Sequence, residues 1–406
     1  GEPLAVINGA TLRAKGAGEY GGSIVNIGQL ETDRDMTITT PANAVLNKTS
    51  GTVEVDGKTV KDWVTVEQLY FMIGNDYVRA SNCSDIKSAS LTGGTAAYDP
   101  ETKTLTLDNA TIGGEDYGIY AVDDLTIEVK GNCSVSGNDV AIVTEGDRKL
   151  AVVAADEGSS LAVNSTTGIG IYFQGETAAL TLENTTIDVG YGAIVALGSL
   201  DLTVKGTNTM KGNSGIGSQS TLSIMPGNEQ AKLFVTATDF AIHTSGDLVV
   251  SSKDATYPLY IEADASGGKE SYGIYCFGSL TCESSLVTLR MRGSYATIIK
   301  ITKECKLSED LHFFPTNLEW GEIEDIATLV YSDDKNNLTT DWVELRREQS
   351  LFTVGTLTVA DGYATVRNVL KNHLTQVLQV GDAVVDEENL SVARHLEVNG
   401  IDDNLG

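Results

Sequence analysis

Apolar residues along this chain occur in runs of only three to five, separated by turns rich in Gly, Ser, Asp and Asn. Within a run such as LTIEV, residues 125–129, apolar and polar positions alternate. That period of two is typical of a β-strand with one buried face. The pattern therefore predicts a chain built of many short strands joined by turns.

A small residue followed by isoleucine recurs eight times, at spacings of 22 to 32 residues. These pairs are Gly118-Ile119, Ala141-Ile142, Gly170-Ile171, Ala193-Ile194, Gly215-Ile216, Ala241-Ile242, Gly273-Ile274 and Thr297-Ile298. A second column, which turn pairs such as Gly-Ser or Asp-Asp introduce, consists of Leu125, Leu150, Leu180, Leu200, Leu222, Leu248 and Leu280. A third column follows at Val135, Leu161, Ile187, Met210, Leu233 and Leu259. Each unit therefore contains three predicted strands.

Strands repeated in this way can each bury a face if every unit stacks directly on the previous one. Like residues then form columns, and each strand pairs in parallel with its counterpart about 4.8 Å away. Helical crossovers do not fit in gaps this short, and propeller blades of about 40 to 45 residues do not match the spacing. The pattern predicts a parallel β-helix. Its isoleucine column points inward, and both neighbours of each isoleucine, the small residue included, are expected to point outward.

Specific motifs carry a resemblance to a known group. Tyr98-Asp99-Pro100, the strand TLTLDNATI at 104–112 and the YGIYA…DLTI…VKG unit from 117 resemble bacterial exported β-helix proteins described as carbohydrate-binding-domain-containing, which are related in fold to polysaccharide lyases. The resemblance covers roughly residues 68 to 300. It implies an all-β, right-handed single-stranded parallel β-helix with three short strands per coil. It also implies an exported protein, at the cell surface or extracellular, that binds a polysaccharide or other glycan.

We place the β-helix at residues 91–305, between a β-rich cap at 1–90 and a C-terminal cap or accessory region at 306–406. Two hairpins are predicted in the first region, at 52–60 around Asp56-Gly57 and at 70–78 around Gly74-Asn75. The aromatic segment 311–320 is expected to plug the last coil rather than to form a ligand platform. Residues 366–378 fit either an amphipathic helix or strands.

The charge of the chain narrows the range of partners. With 56 acidic and 28 basic residues, the net charge is −28, which makes nucleic acid an unsuitable partner and disfavours anionic membranes. No apolar run is long enough to cross a bilayer, so no membrane insertion is expected. Surface carboxylates could collect Ca²⁺, and no other cofactor is expected. The five cysteines lack metal-ligand or redox spacing and are expected to be buried thiols. The protein is expected to be a monomer.

Catalysis finds little support in the sequence. A hydrolase would need paired carboxylates and a lyase would need a base beside an acidic Ca²⁺ site. The acidic candidates are Asp123, Asp124, Asp188, Asp201 and Asp247, and the basic candidates are Arg148, Lys149, Arg290 and Arg292. Asp124 and Asp247 lie five units apart, roughly 24 Å by stacking, so they are expected to hold turns instead. We predict neither catalytic nor metal-binding residues.

The residues after the isoleucines supply the candidate site. They form an outward column of Tyr120, Val143, Tyr172, Val195, Gly217, His243, Tyr275 and Ile299. Its aromatic members, Tyr120, Tyr172, His243 and Tyr275, are candidates for stacking on sugar rings. Two alternatives remain open. These rings could be ordinary amphipathic strand residues on a structural spacer, or they could contact a protein partner.

Overall fold

A computed structural model of the protein describes residues 4–7, 11–16, 21–25, 29–32, 36–47, 49–299, 301, 304–323, 326–332, 334–347, 350–354, 357–360, 363–365, 378–380 and 383–385. Every regular element within these ranges is a β-strand, and no helix there could cross a membrane. The segment 366–378, which fits either a helix or strands, lies outside the described residues except for its last position. The all-β prediction is confirmed.

Three parallel walls form a β-helix of about eight coils. The first wall consists of β13 (Tyr117–Ala121), β16 (Val140–Thr144), β19 (Ile169–Phe173), β22 (Gly192–Ala196), the second halves of β24 (Thr207–Ser218) and β26 (Lys232–Thr244), β29 (Tyr272–Cys276) and β32 (Ala296–Ile299). The second wall consists of β11 (Thr104–Asp108), β14 (Leu125–Lys130), β17 (Arg148–Ala154), β20 (Thr177–Glu183), β23 (Ser199–Lys205), β25 (Leu222–Pro226), β27 (Leu248–Val250), β30 (Leu280–Cys282) and β33 (Cys305–Leu307). The third wall consists of β12 (Thr111–Gly114), β15 (Asn132–Gly137), β18 (Ser160–Ser165), β21 (Thr185–Val189), the first halves of β24 and β26, β28 (Leu259–Ala265) and β31 (Val287–Gly293). Each coil passes through the three walls in turn, as predicted.

The remaining strands lie at the two ends of the chain. Before the β-helix come β1 (Leu4–Ile7), β2 (Leu12–Ala14), β3 (Gln29–Thr32), β4 (Met36–Thr40), β5 (Val45–Asn47), β6 (Thr52–Val55), β7 (Lys58–Thr59), β8 (Val64–Ile73), β9 (Asp76–Arg79) and β10 (Thr95–Asp99). After it come β34 (Leu311–Phe314), β35 (Leu318–Ile323), β36 (Ile326–Tyr331), β37 (Asp334–Leu338), β38 (Val343–Arg347), β39 (Ser350–Val354), β40 (Leu357–Ala360), β41 (Tyr363–Thr365), β42 (Leu378–Val380) and β43 (Ala383–Val385).

The isoleucine column is confirmed residue by residue. All eight isoleucines pair in register along the first wall, from Ile119 with Ile142 to Ile274 with Ile298. Each of them is fully buried. This column is the centre of a single core that continues through all the coils.

The other two columns contain two-residue errors. Leu180 pairs with Leu202, and Leu200 pairs with Ala178 instead. In the third wall Val135 pairs with Val163, whereas Leu161 pairs with Cys133. A shift of two residues leaves every side chain on the same face of a strand. Hydrophobicity therefore cannot reveal such a shift, and the inward assignments stay correct.

The prediction that the small residues before the isoleucines point outward is wrong. All of them are buried, and a Cβ on Gly118 would lie 2.7 Å from both Ser136 O and Val135 Cγ1, so this column faces inward at the corner between the third and first walls. Gly and a larger residue alternate strictly along this column, and a Cβ on each Gly would approach the carbonyl oxygen of its partner in the next coil. At Gly118 that distance would be 2.7 Å to Ala141, and at Gly215 it would be 2.3 Å to Ala241.

Both predicted N-terminal hairpins are confirmed. Strands β6 and β7 are joined by Asp56-Gly57, both with positive φ, and β8 and β9 are joined by Gly74-Asn75. Strand β8 then pairs antiparallel with β13, where Ile73 lies opposite Ile119. The edge of the first coil is therefore covered by this strand, which prevents the open edge from pairing with another chain.

The C-terminal strands cover the other end of the β-helix. Strand β38 pairs antiparallel with both β31 and β34, and β36 contacts β32. Leu311 and Phe314 of the predicted plug are buried, and Leu311 belongs to the continuous core. Trp342 lies over two arginines of β31, with its ring centroid 3.9 Å from Arg290 Cζ and 4.4 Å from Arg292 Cζ.

The corner column makes a first prediction. Gly215→Ala should lower the free energy of unfolding by about 1–3 kcal/mol, because the added methyl group meets backbone and the Val235 side chain. Gly217→Ala is the matched control on the same strand, since no atom lies within 3.8 Å of its added Cβ. It should stabilise by about 0.5 kcal/mol. Chemical denaturation measures both variants, and equal effects would contradict the corner packing.

The tryptophan contact makes a second prediction. Trp342→Ala should destabilise the protein by about 1–2 kcal/mol, because two partly buried guanidinium groups lose the face of the indole ring. Trp63→Ala is the control: this ring is 44% exposed and lies 4.8 Å from Arg13 Cζ, so about 0.5 kcal/mol is expected. Thermal unfolding compares the two. A loss at Trp342 no larger than that at Trp63 would show that this contact does not stabilise the C-terminal strands.

Candidate functional site

The four candidate residues lie on one continuous ladder on the outer side of the first wall. Tyr120 pairs with Val143, which pairs with Tyr172, and the ladder ends with His243, Tyr275 and Ile299. All four candidates are partly exposed. By contrast Val143 and Ile299 of the same column are buried, so the expectation that they are exposed is wrong. Ile299 lies opposite Thr328 of β36, which covers it.

Tyr120 lies in a small group of its own at the N-terminal end. Its ring is 5.5 Å from that of Tyr117, and its hydroxyl donates a hydrogen bond of 3.1 Å to Glu145 Oε2. Burial and this carboxylate raise the pKa of Tyr120. Tyr172 lies two coils further along, roughly 10 Å away by stacking. The ladder does not bring either tyrosine next to His243 or Tyr275.

His243 and Tyr275 belong to a larger group, which we call the aromatic surface: Phe240, His243, Tyr272, Tyr275, Phe277 and Tyr295. Its rings contact one another across three successive coils. Phe240 and Tyr272 are stacked at 5.4 Å with an interplanar angle of 10°. Tyr275 contacts four rings at 5.0 to 5.5 Å.

The members of the aromatic surface differ in their exposure. Phe277 and Tyr295 expose 37% and 41% of their area, while the other four are partly buried among their neighbours. Burial lowers the pKa of His243, and the nearby Asp239 opposes this effect. Burial likewise raises the pKa of Asp239. The surface therefore presents ring faces and edges with a histidine that tends to stay neutral.

Sequence reasoning found two of these six residues and missed the others. Phe240 and Tyr272 stand two positions before an isoleucine, where strict alternation would turn them inward. The buried small residue between them and the isoleucine reverses that alternation at the corner. Phe277 stands three positions after Ile274, where strict alternation points a side chain outward. An aromatic residue at that position could have been recognised as part of the outer surface. Tyr295 precedes the strand and lies in a turn.

Asp124 and Asp247 hold turns, as expected, whereas Asp188 and Asp201 lie within the strands β21 and β23. Asp124 Oδ1 accepts a hydrogen bond of 2.8 Å from the backbone N–H of Lys149 in the next coil, and Asp247 Oδ1 accepts one of 2.8 Å from Ser279. Asp123 is 2.6 Å from Lys103 Nζ. These contacts tie neighbouring coils together at the corner that enters the second wall.

A shallow depression of about 410 Å³ lies over the second wall and includes Asp124, Lys149 and Asp201. Threonine, leucine and alanine line most of the rest, and no aromatic ring contributes to it. Asp124 and Asp201 are three coils apart, which corresponds to about 14 Å. The two carboxylates of a glycosidase lie about 5 to 9.5 Å apart. This pair is therefore too far apart for that chemistry.

The remaining basic candidates are engaged in ion pairs. Arg292 binds Asp264 through two contacts of 2.9 and 2.8 Å, and Arg290 Nη1 is 2.8 Å from Glu262 Oε2. Burial opposes ionisation of Asp264, but Arg292 outweighs it and lowers the pKa to about 2. Arg148 Nη1 lies 3.8 Å from Asp123 Oδ1.

All five cysteines are free thiols, and the expectation that they are buried is confirmed for four of them. Cys83, Cys133, Cys276 and Cys282 are buried, and Cys305 is partly exposed. Burial raises the pKa of both Cys282 and Cys305 to about 12. In the part of the chain that the structure describes, no group of three or more His, Cys, Asp or Glu side chains could hold a metal ion. The Ca²⁺ expectation stays a prediction.

No protein-family model, curated protein or solved structure matches this chain. The fold is therefore assigned from the strand pairing of this chain alone, and the candidate site from the contacts between its own residues.

The partly buried His243 makes a third prediction. As pH falls below about 6.5, unfolded His243 binds a proton that the folded protein resists, so the wild-type protein loses stability. The variant His243→Gln lacks this proton, and its melting temperature should fall less over the same range. Thermal unfolding at a series of pH values measures the difference. If the melting temperatures of the two proteins fall equally with pH, burial does not lower the pKa of His243.

Proposed function

We propose that this protein is an exported, non-catalytic β-helix protein that binds a polysaccharide or other glycan through its aromatic surface. The observation that carries the proposal is the contiguous group of six aromatic rings on one wall, two of which are more than a third exposed. Aromatic faces pack well on the apolar faces of sugar rings, and a contiguous group can contact several sugars at once.

The orientation of the walls supports an extended ligand. The rings of Phe240, Tyr272 and Tyr295 follow one another along the axis, in coils separated by about 4.8 Å. A glycan chain lying along this axis would meet a ring in each successive coil. The resemblance to exported carbohydrate-binding-domain-containing proteins points to the same ligand class and to export.

Two other functions remain as alternatives, namely a structural spacer or protein-binding component of the cell surface and, less favoured, a polysaccharide lyase or hydrolase. Asp124 and Asp247 hold turns, and Arg290 and Arg292 are engaged in ion pairs, which favours binding over cleavage.

The exposed rings make a fourth prediction. The variants Phe277→Ala and Tyr295→Ala should each weaken retention on an immobilised glycan by about tenfold, the effect of losing about 1.4 kcal/mol of contact. Affinity electrophoresis through gels that contain soluble polysaccharides measures this retention. Thermal unfolding of each variant should show only a small loss of stability, of the size expected for Trp63→Ala, since more than a third of each side chain is exposed.

Tyr257→Ala is the matched control, because Tyr257 is 38% exposed and lies outside the aromatic surface. It should be retained like the wild-type protein. If the protein were retained by no glycan in a broad panel but bound a protein in pull-downs, the proposal would be wrong and the protein-binding alternative favoured. Release of unsaturated or reducing ends would instead indicate an enzyme.

A further inference from the structure

Carboxylates border the first wall where the chain enters it. Five exposed acidic residues lie at these entries: Glu115, Asp116, Asp139 and Glu270 in turns, and Asp239 within β26. Among the described residues of the turns that lead into the first wall, Lys269 is the one lysine or arginine. The sequences of the first-wall strands themselves, from YGIYA at 117 to ATII at 296, contain no lysine or arginine.

Two of these carboxylates lie beside the aromatic surface. Asp239 directly precedes Phe240 and interacts electrostatically with both His243 and Tyr272. Glu270 stands two positions before Tyr272; burial is the main cause that raises the pKa of Tyr272, and Glu270 and Asp239 add smaller contributions. Asp239 and Glu270 therefore give this border two negative charges against the one positive charge of Lys269, and burial lowers the pKa of His243 so that it adds no cation at neutral pH.

The faces of the aromatic rings also attract positive charge. The face of a tyrosine or phenylalanine carries negative charge density and attracts an ammonium group by about 0.5–2 kcal/mol. Carboxylates at the border add an attraction that acts over about 10 Å at moderate salt. Both terms repel a uronate or a sulfated sugar. A sugar with a free amino group meets complementary charge at the border and at the rings.

We propose that the ligand class of the aromatic surface is an amino-sugar polymer with free, protonated amino groups, and that uronate polymers are excluded. This inference rests on the proposed function, because it specifies the glycan that the same surface binds. Stacking supplies the contact with the sugar ring, and Asp239 and Glu270 supply the preference for its charge.

Calorimetric titration of the full chain with three hexamers tests the proposal: glucosamine, N-acetylglucosamine and galacturonic acid. The titrations are carried out at about pH 6, where most amino groups of glucosamine are protonated. We expect the glucosamine hexamer to bind at least about tenfold more tightly than its acetylated form. The uronate hexamer should show no binding. Added salt should reduce the preference for glucosamine.

Three variants separate this site from the general acidity of the protein. The double variant Asp239→Asn with Glu270→Gln should lose the preference for glucosamine. Asp156→Asn with Glu157→Gln removes the same charge from an exposed turn between β17 and β18 and should keep it. Phe277→Ala with Tyr295→Ala leaves the charge unchanged and should lose binding of both the acetylated and the free hexamer.

The outcomes distinguish the two proposals. Equal binding of the free and acetylated hexamers, or tight binding of the uronate, would overturn the charge preference and leave glycan binding standing. If both acid double variants reduce the preference for glucosamine equally, the attraction is non-specific, and the proposed charge preference of this site is also overturned. If none of the three hexamers binds and the broad panel of glycans is also blank, the proposed function itself fails.

Discussion

Backbone hydrogen bonding between successive coils is the constraint on which this structure depends. Each strand satisfies its N–H and C=O groups through the coils on either side, so neighbouring strands are parallel and about 4.8 Å apart. Like positions of the repeat must then lie on top of one another, as the eight isoleucines do. The corners have to fit within the same spacing. The alternation of Gly118, Ala141, Gly170 and Ala193 answers this requirement, because each glycine leaves room for a backbone carbonyl in the next coil.

This constraint explains which parts of the fold could be predicted from the sequence. The isoleucine column has one strong marker per coil, and its register was correct throughout. The second and third columns contain apolar residues two positions apart, such as Leu200 and Leu202, and both face the core. Hydrophobicity cannot choose between them, because the choice depends on turn length. The buried position of Gly118 depends on the geometry of the corner, which alternation along a single strand does not describe.

The sequence predicts the part of the candidate site that follows from strand pairing and not the part that depends on the corner. Pairing along the ladder places His243 next to Tyr275, and this follows from the repeat alone. The contacts with Phe240 and Tyr272 depend on the reversal of alternation at the corner, so the aromatic surface could not be assembled from the sequence. The same reasoning grouped Tyr120 and Tyr172 with them. In the structure these two lie in earlier coils, and Val195 and Gly217 separate Tyr172 from His243.

Stability alone accounts for part of the aromatic surface. Stacked rings on neighbouring strands stabilise a sheet, and partly buried residues such as Phe240 and Tyr272 would be explained by that effect. Phe277 and Tyr295 are different, because each leaves more than a third of its area in contact with solvent. A group of exposed rings promotes association between molecules, and the carboxylates at its border oppose this through charge repulsion. Phe277 and Tyr295 are therefore the residues that point to a ligand, and Asp239 and Glu270 are those that point to its charge.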